Sequence, residues 1–135
     1  MWVLYYFFIH AIIIAVPLKS VNEIGKEVAT MSKKIVILNG SPRAKGNTAA
    51  LIQAFAEGAE AAGHEVTRFD LQKMNIHPCF GCCAGGKNPE SPCIQKDDMQ
   101  IIYPAYKQAD VVCLASPLYY WSISGQLKCA FDRLF

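Results

Sequence analysis

Three short stretches of the chain hold residue types that could do chemistry. The first is NGSPRAKGNT, Asn39 to Thr48, directly after the apolar run Ile35-Val36-Ile37-Leu38. A buried strand joined to a helix by a turn rich in Gly, Ser, Asn and Thr, with one Arg, is how a backbone prepares to hold a phosphate. The helix N-terminus attracts an anion by its dipole and its unpaired N–H groups. Ser41, Asn47 and Thr48 can donate hydrogen bonds to phosphate oxygens, and Arg43 can add charge. An ordinary N-capped turn is the competing reading, and the loop alone favours phosphate only modestly.

Spacing tests three kinds of phosphate loop. A nucleoside triphosphate loop needs G-x-x-x-x-G-K-[ST]. Here Gly40 and Gly46 are one residue too far apart, and Asn47 stands where the Lys belongs. A dinucleotide fingerprint needs G-x-G-x-x-G, and only Gly40 and Gly46 are available. A low-molecular-weight phosphatase would need a nucleophilic Cys in the loop, which holds none.

The second stretch is SPLYYWSISGQLK, Ser116 to Lys128, after the apolar run Val111 to Ala115. Three adjacent aromatics, Tyr119, Tyr120 and Trp121, cannot all enter one core from a loop. A planar ligand ring would stack there; a loop folded back on the sheet is the alternative. The third stretch, PCFGCCAGGKNPESPC, holds Cys79, Cys82, Cys83 and Cys93. Cys-x-x-Cys with a further Cys could ligate iron–sulfur or zinc, or Cys79 and Cys82 could form a redox-active pair. Adjacent cysteines rarely ligate one tetrahedral metal. Cys113 and Cys129 fall in a strand and a helix and read as buried packing residues. His10, His64 and His77 have no partner that suggests catalysis, and Asp132 and Arg133 read as a solvated helix end.

The elements that must position these loops alternate. Lys34–Leu38 is a first strand whose continuous apolar run suits a parallel sheet covered on both faces. A helix follows from about Asn47 to Ala62, with Leu51, Ile52, Phe55, Ala56 and Ala59 on one face. Strand two is Val66 to Leu71, wetter on one face, as at a sheet edge. The irregular stretch 73–96 leads to a helix capped by Asp97 or Asp98 and running through Gln108, with Pro104 inside it. Strand three is Val111 to Ala115, and Ser124 to Phe135 reads as a last helix. The alternation implies an α/β doubly wound parallel sheet. In that arrangement the first and third strands flank the point where strand order reverses, where ligands bind, as flavin mononucleotide does in flavodoxin-like folds.

Strand three is patterned as an interior strand, so a chain ending at Phe135 would leave one of its edges without a partner. The expected unit is therefore strands one to three of five, a C-terminally truncated domain over 31–135. Residues 1–30 are a doubtful extension. WVLYYFFIHAIIIAVPL, residues 2–18, is a borderline membrane span without the basic start of a signal peptide. Lys-Glu-Val before Met31 can be back-translated into a bacterial ribosome-binding sequence, which favours initiation at Met31 over a membrane anchor.

Composition bounds the remaining classes. The chain has 135 residues, 53% apolar, enough for one domain with a real core. Its net charge of +2, with no Lys/Arg-rich run, gives no argument for nucleic acid or an anionic membrane. Six cysteines without a clean secretory signal favour a reduced, cytoplasmic setting.

KKIVILNGSPRAKGNT together with ASPLYYWSISGQLKCAFDRLF resembles the flavodoxin-like NAD(P)H-dependent FMN reductase family, which includes quinone reductase-like enzymes and iron–sulfur flavoproteins. The resemblance covers Lys33 to Phe135. It implies that Ser41, Arg43, Asn47 and Thr48 hold the FMN phosphate, and that Pro117, Leu118, Tyr119, Tyr120, Trp121 and Ser122 border the isoalloxazine. Family members carry further strands and a third flavin-contacting loop. The family's iron–sulfur members use C-x-x-C-x-x-C and a fourth Cys. Gly85 occupies the third position here, which makes a cluster the less favoured reading. The expected function is an FMN-dependent oxidoreductase passing hydride from NAD(P)H to a quinone, flavin or similar small-molecule acceptor, with no protein acid or base required. A flavodoxin-like or iron–sulfur electron carrier without its own turnover is the alternative, and a fragment that does not fold stably is a third. A homodimer is in keeping with relatives whose flavin lies at a subunit interface.

Overall fold

The computed structural model describes residues 6–8, 11–17, 32–85, 88 and 92–134. Its elements, in chain order, are β1 (Tyr6–Phe8), β2 (Ala11–Pro17), β3 (Lys34–Asn39), α1 (Asn47–Ala61), β4 (Glu65–Asp70), α2 (Met99–Gln108), β5 (Val111–Pro117) and α3 (Gly125–Phe131). A 3-10 turn, Leu71–Lys73, follows β4.

The sheet order is β1-β2-β5-β3-β4. β3 pairs in parallel with β4 on one side and with β5 on the other. The first of the three parallel strands therefore sits between the second and the third, and the strand order reverses between β3 and β5. That is a partial flavodoxin-like α/β sheet.

Alternation along β3 explains why it is central. Val36 and Leu38 enter a core with Leu71, Met99, Ile102, Val112, Leu127 and Ala130. Ile35 and Ile37 enter a second core with Ile52, Cys113 and Ala115, against which Phe55, Ala56 and Ala59 of α1 pack. One strand feeds both faces, so its sequence reads as an unbroken apolar run. Each fully buried side chain of this kind is worth roughly 1.5–3 kcal/mol. β4 lies at the sheet edge, and Glu65, Thr67 and Arg68 are exposed there.

Three features differ from the sequence expectations. The edge of the third parallel strand, expected to be bare, is paired: residues 11–17 run antiparallel along β5, Ala11 opposite Pro117 and Pro17 opposite Val111. Residues 6–8 and 11–17, read as a borderline membrane span, are strands, and no helix among the described residues is long and apolar enough to cross a membrane. Isoleucine and valine are β-branched and fit a pleated surface. His10, the segment 18–31 with Met31, and Phe135 lie outside the described residues. The last helix is also shorter than expected. It is capped by Ser124, whose Oγ accepts from the Leu127 N–H at 3.3 Å, and it ends at Phe131.

Candidate functional site

At the C-terminal ends of β3 and β5, where the strand order reverses, two loops face each other across an open cavity of about 570 Å³. Ser41, Arg43, Lys45, Gly46, Asn47 and Thr48 line it from the first loop, and Pro117, Leu118 and Tyr119 from the second. Seven of the ten residues singled out from sequence are thus brought around one cavity. Lys45 and Gly46 join them; both sit inside the quoted loop and could have been read from it.

The first loop gathers hydrogen-bond donors and positive charge. Gly46 is the N-cap of α1 and makes no side-chain cap. The first helical hydrogen bond runs from the Ala50 N–H to the Gly46 carbonyl at 3.0 Å, so the N–H groups before it have no intrahelical partner. Thr48 and Ser41 are buried at the base of the loop. Arg43 and Lys45 give the cavity two positive charges, and no acid among the described residues lines it.

Buried polar contacts fix the loop's path. Asn39 uses both ends of its amide: Oδ1 accepts from the Ser41 N–H at 3.0 Å, and Nδ2 donates to Asp70 Oδ1 at 2.9 Å. The Ser41 hydroxyl in turn accepts from the Arg43 N–H at 3.3 Å. Burial works against ionisation of Asp70, but hydrogen bonds from Asn39, Lys73 and Arg68 outweigh it and hold the carboxyl at about 2. Gly40 leaves room for α3. A Cβ there would come within 2.5 Å of Ser124 Oγ and 2.7 Å of Leu127 Cβ. Asn39 and Asp70 were missed in the sequence, because their pairing joins two strands and has no local signature.

The second loop is tied at its neck by Ser116. Its Oγ donates to the Pro117 carbonyl at 2.7 Å and accepts from the Ser124 N–H at 2.8 Å. At the tip, Tyr119 and Ser122 exchange backbone hydrogen bonds of 2.9 and 3.0 Å. Tyr120 and Trp121 between them have φ of 45° and 64°. Two central residues with positive φ make a tight hairpin turn that ordinarily uses Asn and Gly. Here it carries aromatics, 98% and 89% exposed. Tyr120, Trp121 and Ser122 stand beyond the cavity wall rather than on it.

The cysteine loop is organised differently. Arg133, read as part of a solvated helix end, is 4% exposed. α3 stops at Phe131, and the turn that follows carries Arg133 into the core side. Its Nη1 and Nη2 grip the Asp97 carboxylate, Nη2 to Oδ1 at 2.9 Å, and Nη1 also donates to the His77 carbonyl at 3.0 Å. Asp97 further accepts from the N–H groups of His77 and Met99. Burial opposes its charge, but Arg133 and those N–H groups hold the carboxyl at about 2. Asp132 instead pairs with Lys128 on the surface. The two ends of the loop are thereby pinned to one buried ion pair.

The cysteines themselves differ in exposure. Cys79, Cys82 and Cys83 are exposed and Cys93 is half-buried. Cys93 Sγ accepts from Arg133 Nη2 at 3.5 Å. Gly85 is exposed where a third ligand would stand. No three candidate ligands converge to hold a metal ion among the described residues. Cys113 is fully buried, as expected, and burial pushes its thiol up to about 12. Cys129 is only half-buried and lines a shallow groove with Leu71, Met74 and Ile76.

Comparison with known proteins places this arrangement. The chain is 35% identical over 101 residues to an iron–sulfur flavoprotein of Archaeoglobus fulgidus, covering 75% of this chain and 45% of that one. It is 34% identical over 100 residues to an iron–sulfur flavoprotein of Methanocaldococcus jannaschii, covering 74% and 51%. It is 31% identical over 102 residues to a Bacillus subtilis protein described as a candidate NAD(P)H-dependent FMN-containing oxidoreductase, covering 74% and 51%. The chain spans about half the length of the curated relatives it matches. No solved structure matches. Residues 33–135 match the family model described as NADPH-dependent FMN reductase, and the chain belongs to that family.

Proposed function

We propose that this chain carries the phosphate- and ring-binding loops of an FMN-dependent oxidoreductase, in which FMN takes hydride from NAD(P)H and passes it to a quinone, flavin, nitro compound or similar small-molecule acceptor. The observation that carries the reading is the shared cavity: an uncapped helix N-terminus with two cations on one side, and an aromatic loop on the other. A phosphate monoester needs the first wall and a flat ring needs the second.

The residues divide the work. Arg43 and Lys45 supply charge to the phosphate; Ser41, Asn47 and Thr48 supply hydrogen bonds; the free N–H groups at the start of α1 complete the cradle. Pro117, Leu118 and Tyr119 form the apolar wall that excludes water from one side of the ring. Tyr120, Trp121 and Ser122 extend that wall from the turn. No side chain needs to move a proton. The setting is cytoplasmic, and a homodimer would bring the exposed aromatics of a second copy towards the ring. The relatives named as iron–sulfur flavoproteins support a second reading, an electron carrier without turnover of its own. NADPH consumption with a quinone, in the absence of a protein partner, separates the two.

The test is FMN titration of the chain, followed by visible absorbance and fluorescence quenching, with iron quantified on the same sample. Saturable binding is expected. Arg43→Ala should weaken it about tenfold to a hundredfold, the worth of one charge-assisted hydrogen bond. A folded chain that takes up no FMN overturns the reading.

A further inference from the structure

The phosphate side of the cavity is braced by residues that lie outside it. Asn39 and Asp70 end β3 and β4, and neither lines the cavity. Asn39 is 2% exposed, and the two ends of its amide are chemically opposite, one a donor and one an acceptor. An ionised carboxylate has no hydrogen to offer. Asp70 Oδ1 therefore takes the Asn39 NH2 group, at 2.9 Å. The Asn39 oxygen is left to face the Ser41 N–H, at 3.0 Å. Arg68 Nε at 2.7 Å and Lys73 Nζ at 3.1 Å hold Asp70 in turn, at the edge of the sheet.

The order continues into the loop. Ser41 Oγ accepts from the Arg43 N–H at 3.3 Å. Its contact with the Arg43 carbonyl, 3.5 Å, is too long to hold the hydroxyl hydrogen. That hydrogen is left for a ligand in the cavity, which Ser41 lines. The backbone N–H groups of Ser41 and Arg43 are spent inside the loop, so a ligand meets Ser41 through its side chain.

We propose that Asp70 is a positioning residue for the phosphate side of the cavity, acting through the Asn39 amide to fix Ser41 as a hydrogen-bond donor to a phosphate oxygen. The inference rests on the flavin reading for the identity of the ligand. A role for Asp70 as a charge alone makes the opposite prediction. Removing its negative charge leaves Arg68 and Lys73 unneutralised and tightens an anion at the loop. Removing its hydrogen bond frees the Asn39 amide and loosens the same anion.

The test titrates the parent chain, Asp70→Ala, Asn39→Ala, the double variant and Asp70→Asn with FMN and with riboflavin, which lacks the phosphate. The ratio of the two affinities reads the phosphate side alone, because a general loss of folding lowers both. Asp70→Ala should reduce the preference for FMN by about threefold to tenfold, the worth of one hydrogen bond, and leave riboflavin unchanged. Asn39→Ala, which leaves Asp70 its two cations, should give the same loss, and the double variant no more than either single change. Asp70→Asn, whose side-chain oxygen can still accept from Asn39 Nδ2, should keep the parent ratio. An unchanged or raised ratio in Asp70→Ala overturns the proposal, as do losses that add in the double variant. Hydrogen exchange of the Ser41 N–H, followed by NMR without ligand, separates the relay from the flavin reading. Asp70→Ala should speed that exchange by at least about threefold, and an unaltered rate overturns the relay even where FMN binds. Faster exchange in Asp70→Ala, together with a folded parent chain that takes up no FMN, supports the relay and overturns the flavin reading.

Discussion

The loop at the start of α1 and the loop between β4 and α2 both leave the C-terminal ends of strands, but they spend their donors in opposite ways. Around Ser41 to Thr48 the cations and helix N–H groups face an open cavity. Around His77 to Asp97 the cation and the N–H groups turn inward, onto the Asp97 carboxylate. The first loop leaves its donors facing the cavity. The second carries its own acceptor in Asp97. The difference predicts that the two arginines act on different observables: Arg43 on affinity, Arg133 on stability.

The sharpest way to break this contrast is Arg133→Met. The substitution leaves the Asp97 carboxylate, whose side chain is 1% exposed, without its cation. Removing one partner of a buried pair costs about 3–5 kcal/mol, a large part of the stability of a small domain. Urea unfolding should show that loss, whereas Arg43→Ala, on an exposed loop, should stay within about 0.5 kcal/mol of the parent. A mild effect of Arg133→Met would mean that the cysteine loop is not held by its ion pair.

Acid probes the same pair without mutation. Asp97 and Asp70 both have carboxyls held at about 2 in the folded chain, below the ordinary value. A depressed carboxyl contributes stability that is fully present above its unfolded value, near 4. That contribution is lost as pH falls towards 2. Each shift is worth on the order of 2 kcal/mol, so stability measured by urea should fall steeply between about pH 4 and pH 2. Asp97→Asn should flatten that limb more than Asp70→Asn, because Asp70 is more exposed and better screened. Equal flattening would remove the distinction between the two networks.

What the sequence made legible has a common character. The strands β3 and β5, helix α1 and the two cavity loops are each marked within about ten residues by residue type and spacing, and local marks survive folding. Arg133 with Asp97, and Asn39 with Asp70, join residues brought together only by topology. A charged pair beyond a helix end is mostly solvated, so nothing local set Arg133 apart. The pairing of residues 11–17 with β5 was hidden for the opposite reason. An unbroken apolar run fits a buried helix, a span or a strand, and periodicity cannot choose among them. The tip of the aromatic loop was half legible: three aromatics in a row gave its exposure, but not the positive φ of Tyr120 and Trp121.

That tip gives the smallest of the expected effects. A bulky residue held at positive φ is strained, at roughly 1–3 kcal/mol, and Trp121 occupies the turn position where Gly is ordinarily found. It is also 89% exposed, so removing the indole gives up little packing within the chain. Trp121→Gly should therefore stabilise the fold, by about 1 kcal/mol in urea unfolding. The same change should weaken FMN binding by a similar amount, the worth of one aromatic stack. The two effects have opposite signs, so no general loss of folding can imitate them. A rise in stability with unchanged affinity would assign the strain to the turn alone and end the flavin-bordering role at Tyr119, the last aromatic on the cavity wall. A fall in stability would mean that the indole packs more than its exposure implies, and that the two loops share more of the cavity than the contrast between them allows.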